Sequence, residues 1–129
     1  MAHYRGSISD YESFQLGDFE LQCGKKLSNA HIAYKTLGNL NAEKNNVIIL
    51  NHPVGGTHEN AEAIHLDEEN GAISPEKHFI IMPNMFGNGL SSSPSNASAS
   101  FALKKNLLSL QVSKLYRMLL LLSFYLLML

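Results

Sequence analysis

Carboxylates are missing from the last 53 residues and histidines from the last 51: all 11 acidic residues lie at or before Glu76, and the sixth histidine is His78. Residues 79–129 therefore supply no acid or base for a catalytic triad. No glycine follows Gly89, which excludes a Gly-x-Ser-x-Gly nucleophile turn beyond that point. Cysteine occurs once, at Cys23, so neither an intramolecular disulfide nor a Cys-x-x-Cys site can form. A lone thiol suits a reducing compartment. The first 14 residues, MAHYRGSISDYESF, lack the apolar run of a secretory signal, and the expected location is cytoplasmic. The formal net charge is -1, and no nucleic-acid partner is expected. The charge is nevertheless uneven. Residues 1–76 hold 11 acidic and 5 basic groups, a balance of -6, whereas the remainder holds only Lys77, Lys104, Lys105, Lys114 and Arg117.

What is present reads as one α/β unit of 129 residues, since the chain is too short for two ordinary domains. FELQCGKKLSNAHIAYKTLG, residues 19–38, forms two extended segments around Gly24-Lys25-Lys26 and predicts a hairpin. The first dozen residues are polar and expected to be loose. NNVIIL, near 46–51, is a continuous apolar run, as expected of a central strand covered on both faces. HENAEAIHLDEENG, 58–71, is weakly helical. HFIIM, 78–82, is a second buried strand, which Pro83 is expected to halt. Each of these two strands empties into a glycine-containing loop, and in α/β sheets such loops at strand carboxyl ends face ligands.

The stretch HPVGG, residues 52–56, is on spacing alone a Pro-Gly turn. FGNGLSS, residues 86–92, half-matches a dinucleotide-binding glycine pattern. Ser92 replaces its third glycine and no acidic residue follows to bind a ribose, so the glycines read as turn formers. Ser91, Ser92 and Ser93 are a polar loop on this reading, with no nucleophile turn around them. His58, Glu62 and His65 fall at i, i+4 and i+7, and on a helix they would share one face as a candidate zinc-ligand set. The alternative is a solvated polar face, and the spacing departs from His-Glu-x-x-His because Glu62 stands in the second histidine's place.

LSNAHIAYKTLGNLNAEKNNVIILNHPVGGTHEN and ISPEKHFIIMPNMFGNGLSSSPSN resemble, in order and spacing, the N-terminal part of the α/β-hydrolase superfamily and its homoserine O-acetyltransferase-like branch. The resemblance covers residues 18–101. It implies acyl transfer through a serine ester without a cofactor, with acetyl-CoA and homoserine, or water, as small-molecule partners. It implies that the Val54 N–H is one oxyanion-hole donor, that His52 and Pro53 shape the loop with Gly55 and Gly56, and that Gly87 and Gly89 form the second turn. A main-chain donor fixed at a strand end needs no reorganisation as charge develops.

From Phe101 onward the composition turns leucine-rich. Residues 1–102 are read as the N-terminal portion of a hydrolase domain, and residues 103–129 as a tail that does not match the family and is expected to form a helix. The nucleophile and the rest of the triad do not arrive, so the expectation is a truncated, inactive family member with a tail from a shifted frame or alternative exon. A rival expectation makes MLLLLSFYLLML a site of weak membrane or self-association, although a spanning helix needs about 20 apolar residues.

Overall fold

The computed structural model describes residues 10–21, 24, 26–66 and 72–96. Cys23 and the leucine-rich tail, with its expected helix, lie outside the described residues. Four strands and one helix follow in the order β1 (Glu12–Glu20), β2 (Lys26–Leu37), β3 (Val47–Ile49), α1 (His58–His65) and β4 (Phe79–Pro83). They form one sheet in the order β1-β2-β4-β3.

The expected hairpin is present, with β1 antiparallel to β2 and Glu20 opposite Lys26. It starts earlier than its composition suggests. Glu12 already pairs with Tyr34, so residues assigned to a loose N-terminus begin the first strand. Polar residues on one face of an edge strand do not prevent pairing, because the ladder uses the backbone.

β4 lies antiparallel to β2 and parallel to β3, with Ile48 opposite Ile80 and Ile49 opposite Ile81. The helix bridges the parallel pair, as a parallel connection requires. Among the described residues β3 is an end strand, and the middle positions belong to β2 and β4. This corrects the central placement expected for NNVIIL. An apolar run reports that both faces are covered and carries no information about rank within a sheet; Val47, Ile48 and Ile49 are in fact only half-buried. Pro83 ends β4 from within, as its last residue, paired with Tyr34.

Strand alternation distributes the core to both faces. Ile48, Ile80 and Met82 point to the helix side and pack with Leu50 and Ala61, while Val47, Ile49, Phe79 and Ile81 join Phe14 and Tyr34 on the other. A third cluster of Leu21, Leu27, Ala30, Phe19 and Phe86 closes the hairpin end. Among the described residues no helix is long and apolar enough to cross a membrane.

Candidate functional site

Because β3 and β4 are parallel neighbours, the loops leaving their carboxyl ends lie side by side. The first begins at Asn51. Gly56 N–H donates to Pro53 O at 2.9 Å and closes a turn whose third residue, Gly55, has φ +78°. That positive φ identifies a type II turn and explains the glycine. Gly56 has a different reason: a Cβ there would come within 2.9 Å of Asn60 Oδ1 and 3.1 Å of Pro53 O. Its smallness serves the loop's own packing. Val54 occupies the turn's second position with 88% of its surface exposed. Among the described residues its N–H makes no hydrogen bond.

His52 is only 5% exposed and holds this turn from beneath. Met85 N–H donates to His52 Nε2 at 3.1 Å, so that nitrogen is bare, and Nδ1 carries the proton and donates to Pro53 O at 2.8 Å. The ring thus joins the β3 loop to the β4 loop. It is fully occupied and offers no base.

Asn84, the first residue after β4, is the second organising group and is fully buried. Its Oδ1 accepts the His58 N–H, one of the free donors at the start of α1, at 3.0 Å, and also Asn88 Nδ2 at 3.0 Å. Its Nδ2 donates to Ala33 O and to His58 Nδ1. The His58 proton is thereby placed on Nε2, which is buried and has no partner. Sequence reasoning missed Asn84, although an asparagine directly after a buried strand, at the end that faces ligands, is a usable signal.

The candidate zinc set does not assemble. His58 is buried against Asn84, Glu62 binds Lys35 Nζ at 2.8 Å, and His65 is exposed at the end of the helix. Three residues on one helical stripe still differ in depth when the helix packs on a sheet. Among the described residues no group of His, Cys, Asp and Glu could hold a metal ion. Lys35 also meets Asp10 Oδ2 at 2.6 Å. Burial, the largest single influence on this ammonium, works against its charge, but its hydrogen bonds to Asp10 and Glu62 and their negative charges raise its pKa overall. Lys35 in turn lowers that of the Asp10 carboxyl.

Gly87 and Gly89 both adopt positive φ, at 87° and 96°, as turn formers do. The serines after them are buried and engaged. Ser91 Oγ accepts Ala33 N–H and donates to Asn84 O, and Ser93 Oγ accepts Gly89 N–H and donates to Ser91 O. Ser92 has a partner the sequence did not reveal: its Oγ lies 3.2 Å from His31 Nδ1, while His31 Nε2 donates to Leu90 O at 3.1 Å. The polarity is that of a nucleophile and its base. The surroundings are not, because the N–H groups of Gly87 through Ser93 are all bonded within the protein and none remains to receive an oxyanion. The pair is a clamp between β2 and the loop.

Sheet, crossover helix and paired strand-end loops make up an α/β unit whose structural neighbours are of α/β-hydrolase type. Its homologues are esterases and homoserine O-acetyltransferases. A probable esterase of Corynebacterium glutamicum is 38% identical over 88 residues, 68% of this chain and 25% of that protein. The homoserine O-acetyltransferase of Haemophilus influenzae is 32% identical over 91 residues, 63% of this chain and 25% of its own. The solved acetyl esterase MekB superposes with a TM-score of 0.65 at 37% identity, over 70% of this chain and 26% of that one. The chain thus spans about a quarter of the length of the curated relatives it matches. No protein-family model matches it.

Proposed function

We propose that residues 18–101 form the oxyanion-loop portion of an acyl-transfer site, with Val54 N–H as one donor to the tetrahedral intermediate of a short-chain ester. The observation that carries this is the unbonded Val54 N–H at a strand-end turn whose carbonyl side is fixed by His52 and Gly56. The donor is rigid before substrate arrives, the condition under which a backbone N–H is most effective. The names of the relatives favour an acetyl ester as donor, with water or homoserine as acceptor. The 129 residues by themselves are inferred to be without turnover. Ser91, Ser92 and Ser93 are committed to structural hydrogen bonds, and the residues after His78 contain no acid or imidazole.

The test is a chimera in which residues 18–101 replace the matching segment of the acetyl esterase MekB. Acetate ester hydrolysis is expected to survive, and Val54→Pro in the chimera to lower kcat by about 10²–10³. Proline suits the second position of a type II turn, so the change removes the N–H while keeping the backbone path. A folded but inactive chimera, or a Val54→Pro variant with full activity, refutes the assignment. The 129-residue chain is assayed in parallel with p-nitrophenyl acetate and is expected to match background. Turnover lost on changing Ser92 to Ala would instead make the Ser92–His31 pair catalytic.

A further inference from the structure

Asn88-Gly89 in the second loop is a pair with chemistry of its own that acyl transfer does not use. In an Asn-Gly pair the glycine backbone nitrogen can attack the asparagine Cγ, since no Cβ crowds the approach. A nitrogen–carbon bond forms, and the side-chain nitrogen leaves as ammonia with the proton of the glycine amide. Water then opens the succinimide to aspartate or isoaspartate. The sum is amide plus water to carboxylate plus ammonium, with no oxidant or reductant.

Attack requires a Gly89 nitrogen released from its hydrogen bond and an Asn88 side chain free to swing over it. In this loop both are tied. Gly89 N–H donates to Ser93 Oγ at 2.8 Å. Asn88 Oδ1 accepts Leu90 N–H at 3.0 Å and Ser91 N–H at 3.3 Å, and its Nδ2 donates to the buried Asn84 Oδ1 at 3.0 Å. Ser93 is itself fixed, with its N–H on Asn96 Oδ1 at 2.7 Å. Asn88 is nevertheless only half-buried and Gly89 is exposed, so water is at hand once the loop opens.

We propose that Asn88-Gly89 is a deamidation site of this protein, held closed by the Ser93–Gly89 and Asn84–Asn88 hydrogen bonds and reacting through local opening of residues 84–93. The product is coupled to the fold. An aspartate at 88 has no donor for Asn84 Oδ1 and sets a carboxylate against it. Isoaspartate lengthens the backbone between two glycines that already sit at positive φ. Either product loosens Asn84, which also binds the first N–H of α1. The modification is thus an irreversible weakening of the junction beneath the β3 and β4 loops.

The full chain is incubated at mildly alkaline pH with and without urea, digested, and the peptide carrying Asn88 resolved by mass spectrometry into Asn, Asp and isoAsp forms. The folded chain is expected to react at least about tenfold more slowly than the urea-unfolded chain. Ser93→Ala is expected to raise the folded-state rate about fivefold, the gain in an opening equilibrium when one hydrogen bond is lost. Asn70-Gly71, read in the same digest, should keep its rate in Ser93→Ala if the opening is local. Equal rates with and without urea overturn the proposal, as does a folded Ser93→Ala chain that reacts no faster than the parent. Should Ser93→Ala unfold the chain, the contrast of the parent with and without urea decides alone.

Discussion

Met85 donates its backbone N–H to His52 Nε2 at 3.1 Å, and through this one ring the turn after β3 and the turn after β4 share a support. The other ring nitrogen holds Pro53 O, the same oxygen that accepts Gly56 N–H. A neutral imidazole is the side chain that can offer a donor and an acceptor in opposite directions from one rigid plane, and both directions are used here on backbone groups.

His52→Leu keeps approximate volume and removes both bonds. The Met85 N–H is then left without its partner, and a loss of about 1–3 kcal/mol is expected in urea unfolding. Amide exchange distinguishes this from general weakening. Met85 should lose protection, while Gly56, whose bond to Pro53 O does not involve the ring, should retain more of it. Equal loss at both amides would mean that the ring acts only by filling space.

Asn84→Ala should cost more. It removes two donated and two accepted side-chain hydrogen bonds and strands the His58 N–H and Nδ1 in a fully buried position. With each unsatisfied buried group costing about 1–3 kcal/mol, a total of about 2–5 kcal/mol is expected. Asn84→Asp keeps the acceptor side and can accept a proton carried on His58 Nδ1, but it places oxygen against Ala33 O, so it should rescue only in part. Full recovery by aspartate would show that the bond to Ala33 O contributes nothing.

Gly38→Ala addresses the other end of the sheet, where β2 turns toward β3. Gly38 has φ +76°, and a Cβ there would run into His78 O and Pro75 O, both rigid backbone atoms at the entry to β4. The strain of the left-handed region alone costs about 1 kcal/mol. The backbone clash adds to it, and a loss above about 2 kcal/mol is expected. Calorimetry or urea titration showing less than half of that would mean that the 38 and 75–78 segments separate at little cost.

The sequence revealed the elements that depend on local pattern. The hairpin, the short helix and the two apolar strands follow from alternation and turn residues, and the order of motifs pointed to the hydrolase class. Rank within the sheet was not legible for Val47–Ile49, because strand neighbours are set by contacts between distant segments. The loop was legible at HPVGG as a turn. Asn84 and His31 were not, since their roles arise from partners 26 to 61 residues away, at His58 and Ser92. The His58, Glu62 and His65 stripe misled for the converse reason: helical spacing fixes direction around the helix, whereas depth is decided by the sheet beneath it.

Lys35 with Asp10 and Glu62 carries a prediction in pH. The lysine is raised above its ordinary value, so its contribution to stability is present below the unfolded-state value of about 10.4 and fades as pH climbs through the folded one. Asp10 is depressed, so its contribution is present above about 3.9 and fades as pH falls through its lower folded value. The Lys35–Asp10 pair therefore favours the native state between about pH 4 and pH 10 and weakens on both sides. Lys35→Met removes both pairs while retaining the apolar stem. Its deficit in urea midpoint relative to the parent chain is expected to be largest near neutrality, to shrink below about pH 4, and to shrink again above about pH 10. The effect should be small, because Asp10 is 78% exposed and exposed pairs contribute little, and it should diminish further in high salt. A deficit that stays constant across the pH range and in salt would show that the ammonium contributes nothing through its charge.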